Sequence, residues 1–143
     1  MLPKQIAGVS IPDSKLAQEA TELVRDSESD LLFDHSLRVY LFGAIQGRRL
    51  NLQFDSELLY IGAIFHDLGL IPKYRSATER FEVDGANAAR AFLINHGISR
   101  TDCDVVWDAI ALHTTPGIPK WKAAEVALVT AGVELDVLGI GYG

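Results

Sequence analysis

Eight consecutive residues at 58–65, Leu-Leu-Tyr-Ile-Gly-Ala-Ile-Phe, are apolar without interruption, and the next two are His66 and Asp67. A helix with no polar side belongs inside a core. The run is far short of the roughly 20 residues that a bilayer span requires. A helix is therefore expected from Asp55 or Ser56 to near Asp67, buried through its middle. An Asp is almost never buried unless it is paired or binds a metal. The end of this helix is thus the first place to look for chemistry.

The rest of the chain reads as helical too. Ser10-Ile-Pro-Asp13 resembles a helix start, with Ser10 as cap and a Pro early in the first turn. The segment that follows, to about Glu28, places Leu16, Ala20, Leu23 and Val24 at helical spacing. A second helix is expected from Asp30 to about Arg49, with Leu31, His35, Val39, Phe42 and Ile45 on one face. After a loop from Leu68 to Arg80, a fourth runs from about Asp84 to Asn95, stopped by Gly97. A fifth runs from about Arg100 to Thr114, closed by Pro116-Gly117, and a sixth from about Lys122 to Leu138. Strand-like alternation is weak throughout. The expectation is an all-α bundle of about six helices with no strand pairing.

The chain has 143 residues, 48% hydrophobic and 22% charged, which suits one folded domain over 1–143. The net charge of −6 argues against nonspecific nucleic-acid binding, which uses a basic surface. The N-terminus lacks the basic start and long apolar stretch of a signal peptide, and no membrane association is expected. A single cysteine, Cys103, excludes an internal disulfide and fits a reducing compartment, so the expected location is the cytoplasm. Cys103 lies between Asp102 and Asp104, which raise its pKa, and reads as structural.

Three separate helices each bring a His or an Asp inward. His35 lies on the apolar face of the second, His66 and Asp67 end the third, and Asp136 sits among apolar residues near the end of the sixth. Taken alone, a His on an apolar helix is more often a satisfied core residue than a ligand; the adjacent Asp and the two further groups change that balance. His nitrogen and Asp oxygen suit zinc, iron, manganese or nickel. Two His and two Asp would neutralise a divalent ion and leave positions open for water.

This H…HD…D pattern, His35, His66-Asp67 and Asp136, resembles the HD-domain superfamily of metal-dependent enzymes over about residues 30–139. The resemblance implies an all-helical bundle in which these four residues are metal ligands. Phe-Glu-Val-Asp-Gly-Ala-Asn-Ala-Ala-Arg at 81–90 and Trp-Asp-Ala-Ile-Ala-Leu-His-Thr-Thr at 107–115 are similar to the cyanamide hydratase-like branch. That branch implies addition of water to a small nitrile-type substrate, giving urea from cyanamide, with Zn2+ as the usual metal and Fe2+, Mn2+ or Ni2+ as alternatives. Phosphate-cleaving branches carry Lys or Glu three residues after the HD Asp, where this chain has Leu70. Bimetallic members place a metal-binding His four residues before the Gly of the fourth helix. Here that position is Phe81, beside Glu82, so a single ion is expected. His113 matches a second-metal ligand of bimetallic relatives; without that metal it is a candidate to bond substrate or move a proton.

The remaining candidates have competing readings. Arg38, one turn after His35, either clamps a substrate anion or pairs with Asp34 or another acid. Glu82 and Asp84 are catalytic candidates beside the ion, but both also suit a helix N-terminus, with Asp84 as the cap. Thr114 either caps the fifth helix or faces the pocket. Lys73 lies in the loop after the HD pair, where a solvated cation is ordinary and a substrate contact is the alternative. His96 reads as a cation at a helix C-terminus, and Trp107 and Trp121 as packing residues.

Together these imply hydration or hydrolysis of a small molecule by water activated at a divalent ion, with His113 as proton donor. The alternatives are a phosphohydrolase acting on nucleotides or other phosphate esters, and a non-catalytic helical interaction module. Members of the superfamily usually continue with more helical sequence than follows Asp136 here. The chain is therefore expected to be shortened at its C-terminus, to expose apolar surface near Asp136, and to form homo-oligomers.

Overall fold

The computed structural model describes residues 2–138; of Leu138 it describes the backbone alone. Among the described residues six α-helices dominate: α1 (Lys15–Ser27), α2 (Asp30–Arg49), α3 (Ser56–Phe65), α4 (Phe81–Asn95), α5 (Arg100–Ala111) and α6 (Ala124–Leu138). Short 3-10 turns occupy Leu68–Leu70 and Pro119–Trp121. The all-α expectation holds, with one correction. Two residue pairs, β1 (Gln5–Ile6) and β2 (Val9–Ser10), form a short antiparallel hairpin. Its turn is Ala7-Gly8, with φ of 52° and 79°, the left-handed pair that a two-residue hairpin needs.

That hairpin also corrects the start of α1. Ser10 pairs with Gln5 and is not available to cap a helix. The cap is Ser14, whose hydroxyl accepts from the Ala17 amide at 3.1 Å. Ser29, Asp55 and Ser99 cap α2, α3 and α5 in the same manner.

All of α3 from Leu58 to Phe65 is buried, as its sequence demands, and α1, α2, α4, α5 and α6 all pack against it. Leu59, Tyr60, Ile61, Ile64 and Phe65 have no measurable exposure, and each contributes roughly 1.5–3 kcal/mol of apolar burial. Helices α2 and α6 run antiparallel, and their contact is close because one side is glycine. A methyl on Gly132 would lie 2.1 Å from the Val39 carbonyl oxygen. This contact lays the end of α6 along the start of α2 and brings Asp136 to His35. A second close approach follows the HD pair: a methyl on Gly69 would lie 1.9 Å from the Phe81 carbonyl oxygen. The turn at Leu68–Leu70 is thereby pressed onto the first turn of α4.

Helix α4 begins three residues earlier than its sequence suggests, and Asp84 is not its cap. The cap position is Arg80, which makes no side-chain cap bond, so no cap signal marked it. Phe81 instead starts the helix with its ring edge-on to His113, 5.7 Å between centroids. Asp84 lies inside the helix, where its carboxylate accepts from the Ser76 amide at 2.7 Å and the Ser76 hydroxyl at 3.1 Å. It fastens the 71–80 loop.

Candidate metal centre

Three helix ends meet at one point. His66 is the C-cap of α3, and its Nδ1 lies 2.6 Å from the Ala63 carbonyl oxygen. In the last turn of the helix that carbonyl takes the His66 backbone amide at a long 3.3 Å and keeps a second acceptor site open. It therefore takes the imidazole proton, and the Nε2 lone pair faces away into the bundle. His113 repeats the device just beyond α5, with Nδ1 2.5 Å from the Ile110 carbonyl oxygen. His35, on α2, has its Nδ1 2.5 Å from Asp136 Oδ2. All three histidines thus have one nitrogen tied back and Nε2 directed inward.

His35 Nε2 and His66 Nε2 are 3.2 Å apart; His35 Nε2 is 3.4 Å from Asp67 Oδ2, and His66 Nε2 is 3.2 Å from the same oxygen. Ligand atoms about 2.0–2.2 Å from a common ion stand about 3.0–3.5 Å apart. The triangle fits a divalent cation in spacing and in donor type. The other carboxylate oxygen, Asp67 Oδ1, is 3.7 Å from His113 Nε2. Burial opposes ionisation of Asp67, but the imidazoles of His113, His35 and His66 gathered around it outweigh that effect and hold the carboxyl well below the usual carboxylate range. Its bond to Asp67, assisted by Asp136, raises the pKa of His35 against the effect of burial.

Of the four expected ligands the structure gathers His35, His66 and Asp67, and it places Asp136 one step further out. Asp136 stands behind His35, on the nitrogen opposite the triangle, and also takes the Arg38 guanidinium, with Nε at 2.7 Å and Nη2 at 3.3 Å. Burial opposes the ionised form of Asp136, but the bonds from Arg38 and His35 prevail and its pKa is lowered. Arg38 accordingly takes the pairing role, with Asp136 as its acid.

The other candidates have partners of their own. Glu82 is buried and accepts from Arg80 at 2.7 Å and from the Thr114 hydroxyl, tying α4 to the residue after His113. Burial is offset there by Thr114 and Arg80, and the Glu82 pKa is lowered. Thr114 is committed to that bond, and Lys73 is an exposed cation lying over the Tyr74 ring. His96 caps α4 as expected, with Nδ1 2.8 Å from the Phe92 carbonyl oxygen and Nε2 on Glu19. Burial, with help from Asp104, pushes the Cys103 thiol up. Trp107 packs and donates to Asn87, whereas Trp121 does not pack: it lies in the second 3-10 turn, outside the helices, and is 79% exposed.

Residues 32–135 match the HD domain family, and the chain belongs to it. Two cyanamide hydratases of Saccharomyces cerevisiae, DDI2 and DDI3, are each 29% identical to it over 115 residues, covering 78% of this chain and 51% of theirs. The chain thus spans about half the length of the curated relatives it matches. No described helix is long and apolar enough to cross a membrane.

Proposed function

We propose that this protein is a metal-dependent enzyme that adds water to a small neutral molecule at carbon, with a nitrile such as cyanamide as substrate and urea as its product. The observation that carries this reading is the 3.2–3.4 Å triangle of His35 Nε2, His66 Nε2 and Asp67 Oδ2. His35, His66 and Asp67 would hold one divalent ion, Zn2+ for preference, with Fe2+, Mn2+ and Ni2+ as alternatives. Asp136 would fix the ring of His35 or, by turning its carboxylate, complete the ligand set. Such an ion lowers the pKa of water and polarises the group under attack. His113, next to the triangle with its Nδ1 tied back, would pass a proton to the substrate nitrogen. The similarity to two cyanamide hydratases supports the substrate class.

A single ion is favoured because the ring of Phe81 lies against His113, where a second ion would need a ligand. The phosphohydrolase reading is weaker here. Phosphate transfer needs cations on the phosphate oxygens, and Arg38 is already held by Asp136 while Lys73 is exposed in its loop. The non-catalytic module predicts no retained metal.

The test offers metal-loaded protein cyanamide and, separately, a panel of nucleoside monophosphates. Urea is expected, without phosphate release, and His66→Ala should abolish it. Phosphate release that requires His66 would install the phosphohydrolase instead.

A further inference from the structure

Glu28 closes α1 and immediately precedes Ser29, the cap of α2. Its surroundings in the chain, Asp-Ser-Glu-Ser-Asp at 26–30, read as a polar corner facing water. The fold buries it instead. Glu28 is 7% exposed, and both carboxyl oxygens are buried with no hydrogen-bond partner among the described residues. The charges that act on it are those of Asp67 and His35, two members of the triangle. Burial, and then the charge of Asp67, push its carboxyl up to about 8.

A buried carboxyl without a partner is unfavourable, and such a group in a folded protein calls for an explanation. The backbone explains only the position: the Glu28 amide bonds the Val24 carbonyl to end α1, and any residue with an amide would serve. The side chain needs another reason. Its location supplies one, since a cation among His35, His66 and Asp67 would reverse the unfavourable field that Asp67 alone imposes.

Resting on the metal reading above, we propose that Glu28 is a positioning residue of the metal centre. Its carboxylate accepts a hydrogen bond from a water molecule beside the ion, orienting that water and strengthening retention of the ion. The pattern is one in which a functional group weakens the empty fold and strengthens the loaded one.

The test measures zinc affinity by competition with a chromophoric chelator, and the melting temperature of metal-free protein, in Glu28→Leu, Glu28→Met and Glu28→Gln. Glu28→Met covers the case in which a branched side chain does not fit the corner. The apolar variants should melt above wild type when metal-free, yet bind zinc about 10–100-fold more weakly, the range for partners just outside the ligands. Glu28→Gln, which keeps an acceptor oxygen, should lie between them and wild type. A folded apolar variant that binds zinc as tightly as wild type overturns the proposal, and so does one that melts lower with unchanged affinity. If wild type itself retains no zinc, the metal reading falls first.

Discussion

At the scale of single residues, His35, His66 and His113 share one arrangement, with Nδ1 held by a carboxylate or a carbonyl and Nε2 turned inward. His35, His66 and Asp67 stand out because polar groups interrupt apolar helical faces. That Asp136 sits behind His35 depends on the α2–α6 contact, and that Glu28 is buried depends on how α1 turns into α2. Neither leaves a local trace. Glu28 also gives the metal-free protein a specific pH dependence. Its folded pKa, about 8, lies above the ordinary 4.5, so the native state binds its proton more tightly. Glu28 therefore leaves stability intact below pH 4.5 and removes it progressively as pH rises toward 8, by at most about 1.4 kcal/mol for each pH unit in that window. Urea denaturation of metal-free protein at both ends of that range should show the loss in wild type, and Glu28→Gln should flatten it. Asp67→Ala should abolish metal retention, measured by metal analysis after purification without chelator. In the metal-free fold it is expected to cost stability as well, because the three imidazoles that hold the carboxylate lose their partner.

At the scale of elements, helix existence follows from periodicity, while several boundaries follow from tertiary contacts. Ser10 has the chemistry of a cap but is drawn into a hairpin by Ala7-Gly8. Asp84 has it too, but α4 starts at Phe81 because that ring packs on His113. The close approaches at Gly69 and Gly132 are equally silent in the sequence, where each is a lone glycine. They predict two separable defects. Gly132→Ala forces a methyl against the Val39 carbonyl, and Gly69→Ala against that of Phe81. Each should cost about 1–3 kcal/mol by overpacking in chemical denaturation. Gly132→Ala should in addition part Asp136 from His35, which the His35 imidazole resonances would report.

At the scale of the whole molecule, most of the architecture was implicit in one apolar run. A helix whose eight residues from Leu58 to Phe65 are buried on every side requires other helices around it, and the family match over 32–135 agrees. What the pattern did not convey is the external surface. Leu31 is 79% exposed at the start of α2, and Val137 is 62% exposed at the end of α6, and the antiparallel pairing places both at the His35–Asp136 end. Contact between copies at this end would cover both side chains. Sedimentation at tens of micromolar should show a dimer or larger, and Leu31→Glu should shift it toward monomer. A monomeric wild type would remove this expectation.

The burial of α3 has a kinetic consequence. Amides at the centre of a core exchange their hydrogens only when the whole domain opens, whereas loop amides exchange through local fluctuations. His66 and Asp67 are continuous with the most enclosed helix of the chain, so two of the three triangle residues do not loosen by a local route. The 71–80 loop can open while they stay in place. Hydrogen exchange should therefore show α3 among the slowest segments and that loop among the fastest, and departure of an ion would leave the triangle standing for the next one.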